Sequence, residues 1–249
     1  MKLEKRKRYL QISFNSDLLE AQSIIQALPL HSDRILIEAG TPLIMRYGID
    51  ALISLHRGLA GELSERLAGS NNLAETSVLS QLIFKSFDSR STSFYLHPST
   101  KINSQLQQSN LFRKQSFSGQ YLVADIKCAD LADKEINIVS GTGASAVTCL
   151  GAAPIETIDN FIQKCKQFNL DSIVDMINIK DPLLVLHKLQ NPPDIVVLHR
   201  GVDELVKENK KIPYYQIKKV KGNYDVLVAV AGVDTLSAAE EAFFNDADI

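Results

Sequence analysis

Seven short runs of aliphatic and β-branched residues recur along the chain. Several give way at once to small, polar or charged residues and then to a stretch with helical periodicity. This alternation constrains the fold most, because strands separated by helices imply a parallel sheet. The runs are Tyr9 to Phe14, Arg34 to Glu38, Tyr121 to Asp125, Ser145 to Cys149, Ser172 to Ile177, Asp194 to His199 and Asp225 to Ala231. Helical patterns between them include Asp17 to Leu28, Ile155 to Phe168, Pro182 to Gln190 and Gly201 to Glu208. The sheet is either open and doubly wound or closed into a barrel. Most strand starts fall roughly 20 to 30 residues apart and no GxGxxG follows the first strand. Glu38, Asp125, Asp175 and His199 also stand at the ends of four different strands, where barrel enzymes gather their chemistry. The expected class is therefore α/β, a (β/α)8 TIM-type barrel, and 249 residues suit one such domain, 1–249.

Two irregularities interrupt the rhythm. The second connection, 39–120, is over three times the usual length. Its first part, Gly48 to Leu67, reads as an amphipathic helix. By contrast, 24 of the 50 residues from 70 to 119 are Ser, Thr, Asn or Gln, which predicts a polar, flexible insertion with short helices at Leu79 to Phe84 and Leu106 to Phe112. The other irregularity is the carboxyl end, where Ala247-Asp248-Ile249 resembles the opening of an eighth strand that does not continue, so unpaired edges on strands one and seven are expected.

Charge excludes some partners. Twenty-seven basic and 29 acidic residues give a formal charge of -2, so no global pull toward nucleic acid or anionic membrane is expected. The basic opening MKLEKRKR reads as a solvated terminus. Three cysteines without a ligand spacing, no transmembrane-length apolar run and no signal-peptide pattern point to a cytoplasmic protein.

Among candidate functional residues, the densest group is Val123-Ala124-Asp125-Ile126-Lys127-Cys128-Ala129-Asp130. Strand residues two apart share a face, so Asp125 and Lys127 both point into the barrel mouth, with Asp130 on the following loop. An acid, a base and a second acid can hold a cation, orient a sugar hydroxyl or stabilise a carbanion; a surface ion pair is the competing reading. Glu38, ending a strand before Gly40-Thr41-Pro42, can join Asp125 as a hard oxygen ligand for Mg²⁺, or serve as a cap. His199 is a candidate general base and Arg200 a candidate phosphate ligand. His31, His56, His97 and His187 have no repeated ligand spacing and are assigned structural roles.

Taken in order, LQISFNS, IEAGTPLI, VADIKCAD, VTCLGAAPIETI, VDMINIKDP, VLHRGVDE and VAVAG resemble the orotidine-5'-phosphate decarboxylase superfamily, and most closely its 3-hexulose-6-phosphate synthase branch. The resemblance covers Arg8 to Gly48 and Gly119 to Ile249. It implies a homodimeric lyase with shared active sites, each partner giving its Asp130 to the other. It implies Mg²⁺ held by Glu38 and Asp125 together with substrate oxygens, His199 moving the C1 proton, and Lys127 bonding the enediolate oxygens. The implied reaction is the reversible aldol addition of formaldehyde to ribulose 5-phosphate, giving D-arabino-hex-3-ulose 6-phosphate. Asn15, Asp175, Arg200 and Gly232 fall at substrate-binding positions.

The chain departs from the family pattern at Asn15, where Asp is usual, and at Val233, where a second glycine is usual. The Gly-Arg phosphate loop after strand eight is missing, and the insertion is extra. Two further readings stay open on these residues. One is orotidine-5'-phosphate decarboxylase, which shares Asp125, Lys127 and Asp130 and needs no metal. The other is a degenerate barrel retained for binding.

Overall fold

A computed structural model describes residues 2–28, 33–68, 120–204 and 212–249. The polar insertion with its two expected short helices, His31 and His97 therefore lie outside the described residues. Contacts group Met1–Gly58 with Gln120–Ile249 as one unit and Leu59–Gly119 as another; every strand and candidate residue belongs to the first.

Among the described residues each of the seven expected runs forms a strand: β1 Leu10–Phe14, β2 Ile35–Ala39, β3 Leu122–Cys128, β4 Ala146–Leu150, β5 Asp171–Asp175, β6 Ile195–His199 and β7 Leu227–Ala231. They pair in chain order, all parallel, in a single curled sheet. Helices α1 (Leu18–Ala27), α2 (Thr41–Tyr47), α3 (Ile49–Ala68), α4 (Ala132–Ser140), α5 (Ile155–Gln167), α6 (Pro182–Leu186), α7 (Tyr215–Asn223) and α8 (Leu236–Phe244) alternate with them. The stretch expected as a helix over Gly201 to Glu208 is helical at 202–204, and its remainder lies outside the described residues.

Sequence explains the helices locally. In α5 the buried residues Ile158, Phe161, Ile162 and Cys165 fall at i, i+3, i+4 and i+7, one stripe against the sheet. Glu156 in its first turn and Lys164 and Lys166 in its last suit the helix dipole. Asp17 caps α1 by accepting from the backbone N–H groups of Leu19 and Glu20. α6 stops at Leu186, short of the expected Gln190; beyond it the bonds tighten to i→i+3, with Lys188 N–H donating to Val185 O and Leu189 N–H to Leu186 O.

The inward-facing cluster comprises Leu36, Val123, Ala146, Ile173, Ile195, Leu227 and Ala229, joined from outside the strands by Leu3, Tyr9 and Ile249. Those last three refine one expectation and correct another: β1 and β7 are the edges of a seven-stranded sheet, as expected, but the chain ends lie against them. The final residues are not a bare end. They occupy the first rung of an eighth-strand position, where Asp248 N–H donates to Val228 O (2.8 Å), Val230 N–H to Ile249 O (3.0 Å) and Tyr9 N–H to Asp248 O (2.8 Å). The amino-terminal basic run is not simply solvated either. Leu3 is inserted beneath the barrel, Lys2 N–H donates to both carboxylate oxygens of Asp171 (2.9 and 2.8 Å), and Lys7 pairs with Asp33 and Glu4 (2.6 and 2.7 Å). One apolar residue among the charges supplies the anchor that charge counting hides. Leu3→Ala is accordingly expected to destabilise the protein by about 2–3 kcal/mol, read as a lower urea midpoint with an unchanged slope.

Candidate active site

Near their carboxyl ends the inward faces of the strands change character together. Leu36 gives way to Glu38 on β2, Val123 to Asp125 on β3, Ala146 to Thr148 on β4, Ile173 to Asp175 on β5 and Val197 to His199 on β6. Because side chains alternate with a period of two, each polar group stands one layer above an apolar one. A dry floor thus carries a polar mouth.

Lys127 sits at the centre. Its Nζ lies 3.1 and 2.9 Å from the two oxygens of Asp125 and 3.1 Å from Asp175 Oδ2. That same Asp175 oxygen lies 2.8 Å from His199 Nδ1. Burial would lower the pKa of the Lys127 ammonium, but the charges and hydrogen bonds of Asp125 and Asp175 outweigh it and raise the pKa above the ordinary lysine value. Burial would likewise raise Asp175, yet His199 and Lys127 hold its carboxyl below the usual range. Thr41 Oγ1 lies 2.8 Å from Asp125 Oδ2 and 2.9 Å from Asp125 O, and Thr148 Oγ1 donates to Asp125 Oδ1 at 2.7 Å.

Glu38 stands beside this group, held from β1 by Gln11 Nε2, which donates to Oε2, and by Ser13 Oγ, which donates to Oε1 at 2.6 Å. Burial and the negative charge of Asp125 push its carboxyl above the ordinary carboxylate pKa. The structure therefore brings together Glu38, Asp125, Lys127, Asp175 and His199: three carboxylates facing one ammonium. That excess of negative charge is what a divalent cation between Glu38 and Asp125 would relieve. Among the described residues no group of three His, Cys, Asp or Glu is placed to hold a metal. Mg²⁺ usually takes one or two carboxylates and fills the rest of its shell with water and substrate oxygens, so the pair fits.

The other candidates are placed differently. Asp130 is exposed, and its carboxylate accepts from Leu131 N–H (2.8 Å) rather than meeting Lys127 within the chain. Asn15 donates to Ser13 Oγ (3.1 Å) and lies over Gly40, toward Glu38. Arg200 donates to the carbonyl of Gly232, and its Nη2 is 4.0 Å from Asp234 Oδ1. Four site residues escaped sequence reasoning: Gln11, Ser13, Thr41 and Thr148. Gln11 and Ser13 alternate with Leu10, Ile12 and Phe14, so their shared face was a readable signal. Thr41 and Thr148 become visible only through tertiary contact.

A cavity of about 360 Å³ opens at the other end of β7, lined by Lys5, Lys221, Asp225 and Asp248 among others. Lys5 pairs with Asp225 there and Lys221 with Asp248. Its charged side chains are paired with one another, so their charges cancel.

Comparison with known proteins gives a consistent picture. Residues 102–240 match the family model described as "Orotidine 5'-phosphate decarboxylase / HUMPS family". Over 246 residues the chain is 30% identical to the "Bifunctional enzyme Fae/Hps" of Methanocella arvoryzae, a match covering 97% of this chain and 47% of that protein. The chain thus spans about half the length of the curated relatives it matches. A crystal structure of 3-hexulose-6-phosphate synthase aligns over 96% of this chain and 87% of its own, with TM-score 0.64 and 18% identity. That of 3-hexulose-6-phosphate synthase from Salmonella typhimurium gives TM-score 0.64 and 20% identity over 96% and 86%. At these identities the likeness is one of fold. No described helix is long and apolar enough to cross a membrane.

Proposed function

The chain belongs to the orotidine 5'-phosphate decarboxylase / HUMPS family, and from that premise we propose that it is a lyase joining formaldehyde to ribulose 5-phosphate, reversibly, to give D-arabino-hex-3-ulose 6-phosphate. The observation that carries this reading is the line Asp125, Lys127, Asp175, His199 with Glu38 beside it. The line supplies a base, a fixed cation and a place for a divalent metal around one small volume.

His199, with Nδ1 turned to Asp175, uses its other ring nitrogen to take a proton from C1 of the sugar. The electron pair moves onto the C2 carbonyl oxygen, and the Lys127 ammonium hydrogen-bonds the enediolate as its charge develops. As the C2 carbonyl re-forms, C1 forms a bond to the formaldehyde carbon, and the resulting alkoxide takes up the proton that His199 held, returning the imidazole to its neutral form. Asp175 keeps the imidazole oriented and balances its charge while it is protonated. Mg²⁺ held by Glu38 and Asp125 would add positive charge against the developing oxyanion. Arg200 and Gly232 lie at the β7 end, where the phosphate would be bound. Asp130 and the adjoining Leu131 are both exposed, which fits a homodimer in which Asp130 serves the partner's site.

The test is formaldehyde-dependent consumption of ribulose 5-phosphate by purified protein. EDTA is expected to reduce the rate at least 100-fold and Mg²⁺ to restore it. Activity that survives EDTA would overturn the metal assignment. Decarboxylation of orotidine 5'-phosphate, or no turnover of either substrate, would overturn the reaction.

A further inference from the structure

We infer that Thr148 is a positioning residue, its hydroxyl setting the relation of Asp125 to Lys127 where the backbone ladder is interrupted. The register between β3 and β4 runs Ala124↔Val147 and then Cys128↔Cys149, so four steps along β3 match two along β4. Asp125, Ile126 and Lys127 thus face the single residue Thr148, a bulge two residues deep. Bulges of this kind re-aim side chains next to active sites. Lys127 has φ of 49°, a left-handed conformation uncommon for a residue with a side chain.

Inside this gap Thr148 does what a regular ladder cannot. Its oxygen accepts from Lys127 N–H at 2.9 Å and its hydroxyl donates to Asp125 Oδ1 at 2.7 Å. One group therefore pins the backbone of the ammonium-bearing residue and the carboxylate that faces it. At 5% exposure Thr148 leaves little access for water to replace either bond. This role deepens the function proposed above and, for its kinetic test, rests on it.

Thr148→Val keeps the shape and removes both bonds; Thr148→Ser restores the hydroxyl. The valine variant is expected to lower kcat 10- to 100-fold, with KM for ribulose 5-phosphate within twofold, and the serine variant to recover to within threefold of the unaltered protein. Valine turnover within threefold, or serine no better than valine, overturns the inference. A second readout needs no turnover. Amide hydrogen exchange at Lys127, followed by NMR, is expected to be at least 30-fold faster in Thr148→Val, while Ala124 is unchanged. If the unaltered protein fails to use ribulose 5-phosphate, the proposed reaction falls while the exchange experiment still decides the role of Thr148; equal Lys127 exchange in protein and variant overturns it.

Discussion

Lys127→Ala is expected to slow formaldehyde-dependent ribulose 5-phosphate consumption by about 10³-fold or more, because both the charge stabilising the enediolate and the cation holding the site together are lost. The ammonium bridges Asp125 and Asp175, which are 7% and 3% exposed. Without it the two carboxylates face each other beside Glu38 with no fixed positive charge between them. Removing one partner of a buried pair is expensive, here about 3 kcal/mol in urea unfolding. Lys127→Arg is not expected to rescue turnover, since a planar guanidinium cannot stand as a point charge between two carboxylates at this spacing. The pH dependence of stability follows in sign. Asp175 has a lowered pKa in the fold, so its contribution is present above the ordinary carboxylate range and is lost as pH falls through the lowered value. Lys127 is one cause of that lowering. The variant should therefore lose part of this contribution and unfold in acid at a higher pH than the parent protein. Turnover within tenfold of the parent, with circular dichroism unchanged, would remove Lys127 from the chemistry.

Much of this site was legible because a strand has a period of two. Spacing alone places Asp125 and Lys127 together, and the polar ends of four strands mark the end of the sheet that carries the candidate site. The geometry that unites the pair is nevertheless not that of a flat strand. β3 runs three residues past its expected end, to Cys128, through a bulge in which the Lys127 N–H donates to the Thr148 hydroxyl on the neighbouring strand. A pattern along one strand carries no information about register with the next, so Thr148 was invisible. Asp130 stands apart from Asp125 and Lys127 within the chain: Leu131, with φ of 54°, turns the chain there, and the carboxylate accepts from the Leu131 N–H. Gly40-Thr41-Pro42 has the composition of a turn, yet it opens α2. Proline is equally at home in the first turn of a helix, where its missing N–H is no loss, and Thr41 is carried to Asp125 on that turn.

Gly232→Ala is the second large effect expected. Gly232 has φ of 84°, and a Cβ built there would lie 2.2 Å from the backbone carbonyl oxygen of Arg200 and 3.2 Å from its Cβ. The obstacle is backbone at the end of β6, itself fixed by Arg200 N–H donating to Ala231 O at 3.1 Å, so neither strand can yield without breaking the ladder. Gly40 offers the contrast. Its added Cβ would lie 2.0 Å from Asn15 Oδ1 and 2.9 Å from Ser13 Oγ, both side-chain atoms, of which the exposed Asn15 can swing away. Gly40→Ala should therefore be partly rescued by Asn15→Ala, the contact with Ser13 Oγ remaining, whereas no second substitution can relieve Gly232→Ala. A strained φ and a backbone collision together are expected to cost roughly 3 kcal/mol or more, a fall of about 10 °C in Tm. Arg200 donates to the Gly232 carbonyl, so displacing that peptide also displaces the guanidinium. If Arg200 meets the phosphate, KM for ribulose 5-phosphate rises at temperatures where the variant is still folded, while kcat, set around Lys127 and His199, changes little. An equal fall in kcat with KM unchanged would place Arg200 outside phosphate binding, and an unchanged Tm would mean that the loop can relax in a way this backbone geometry does not allow.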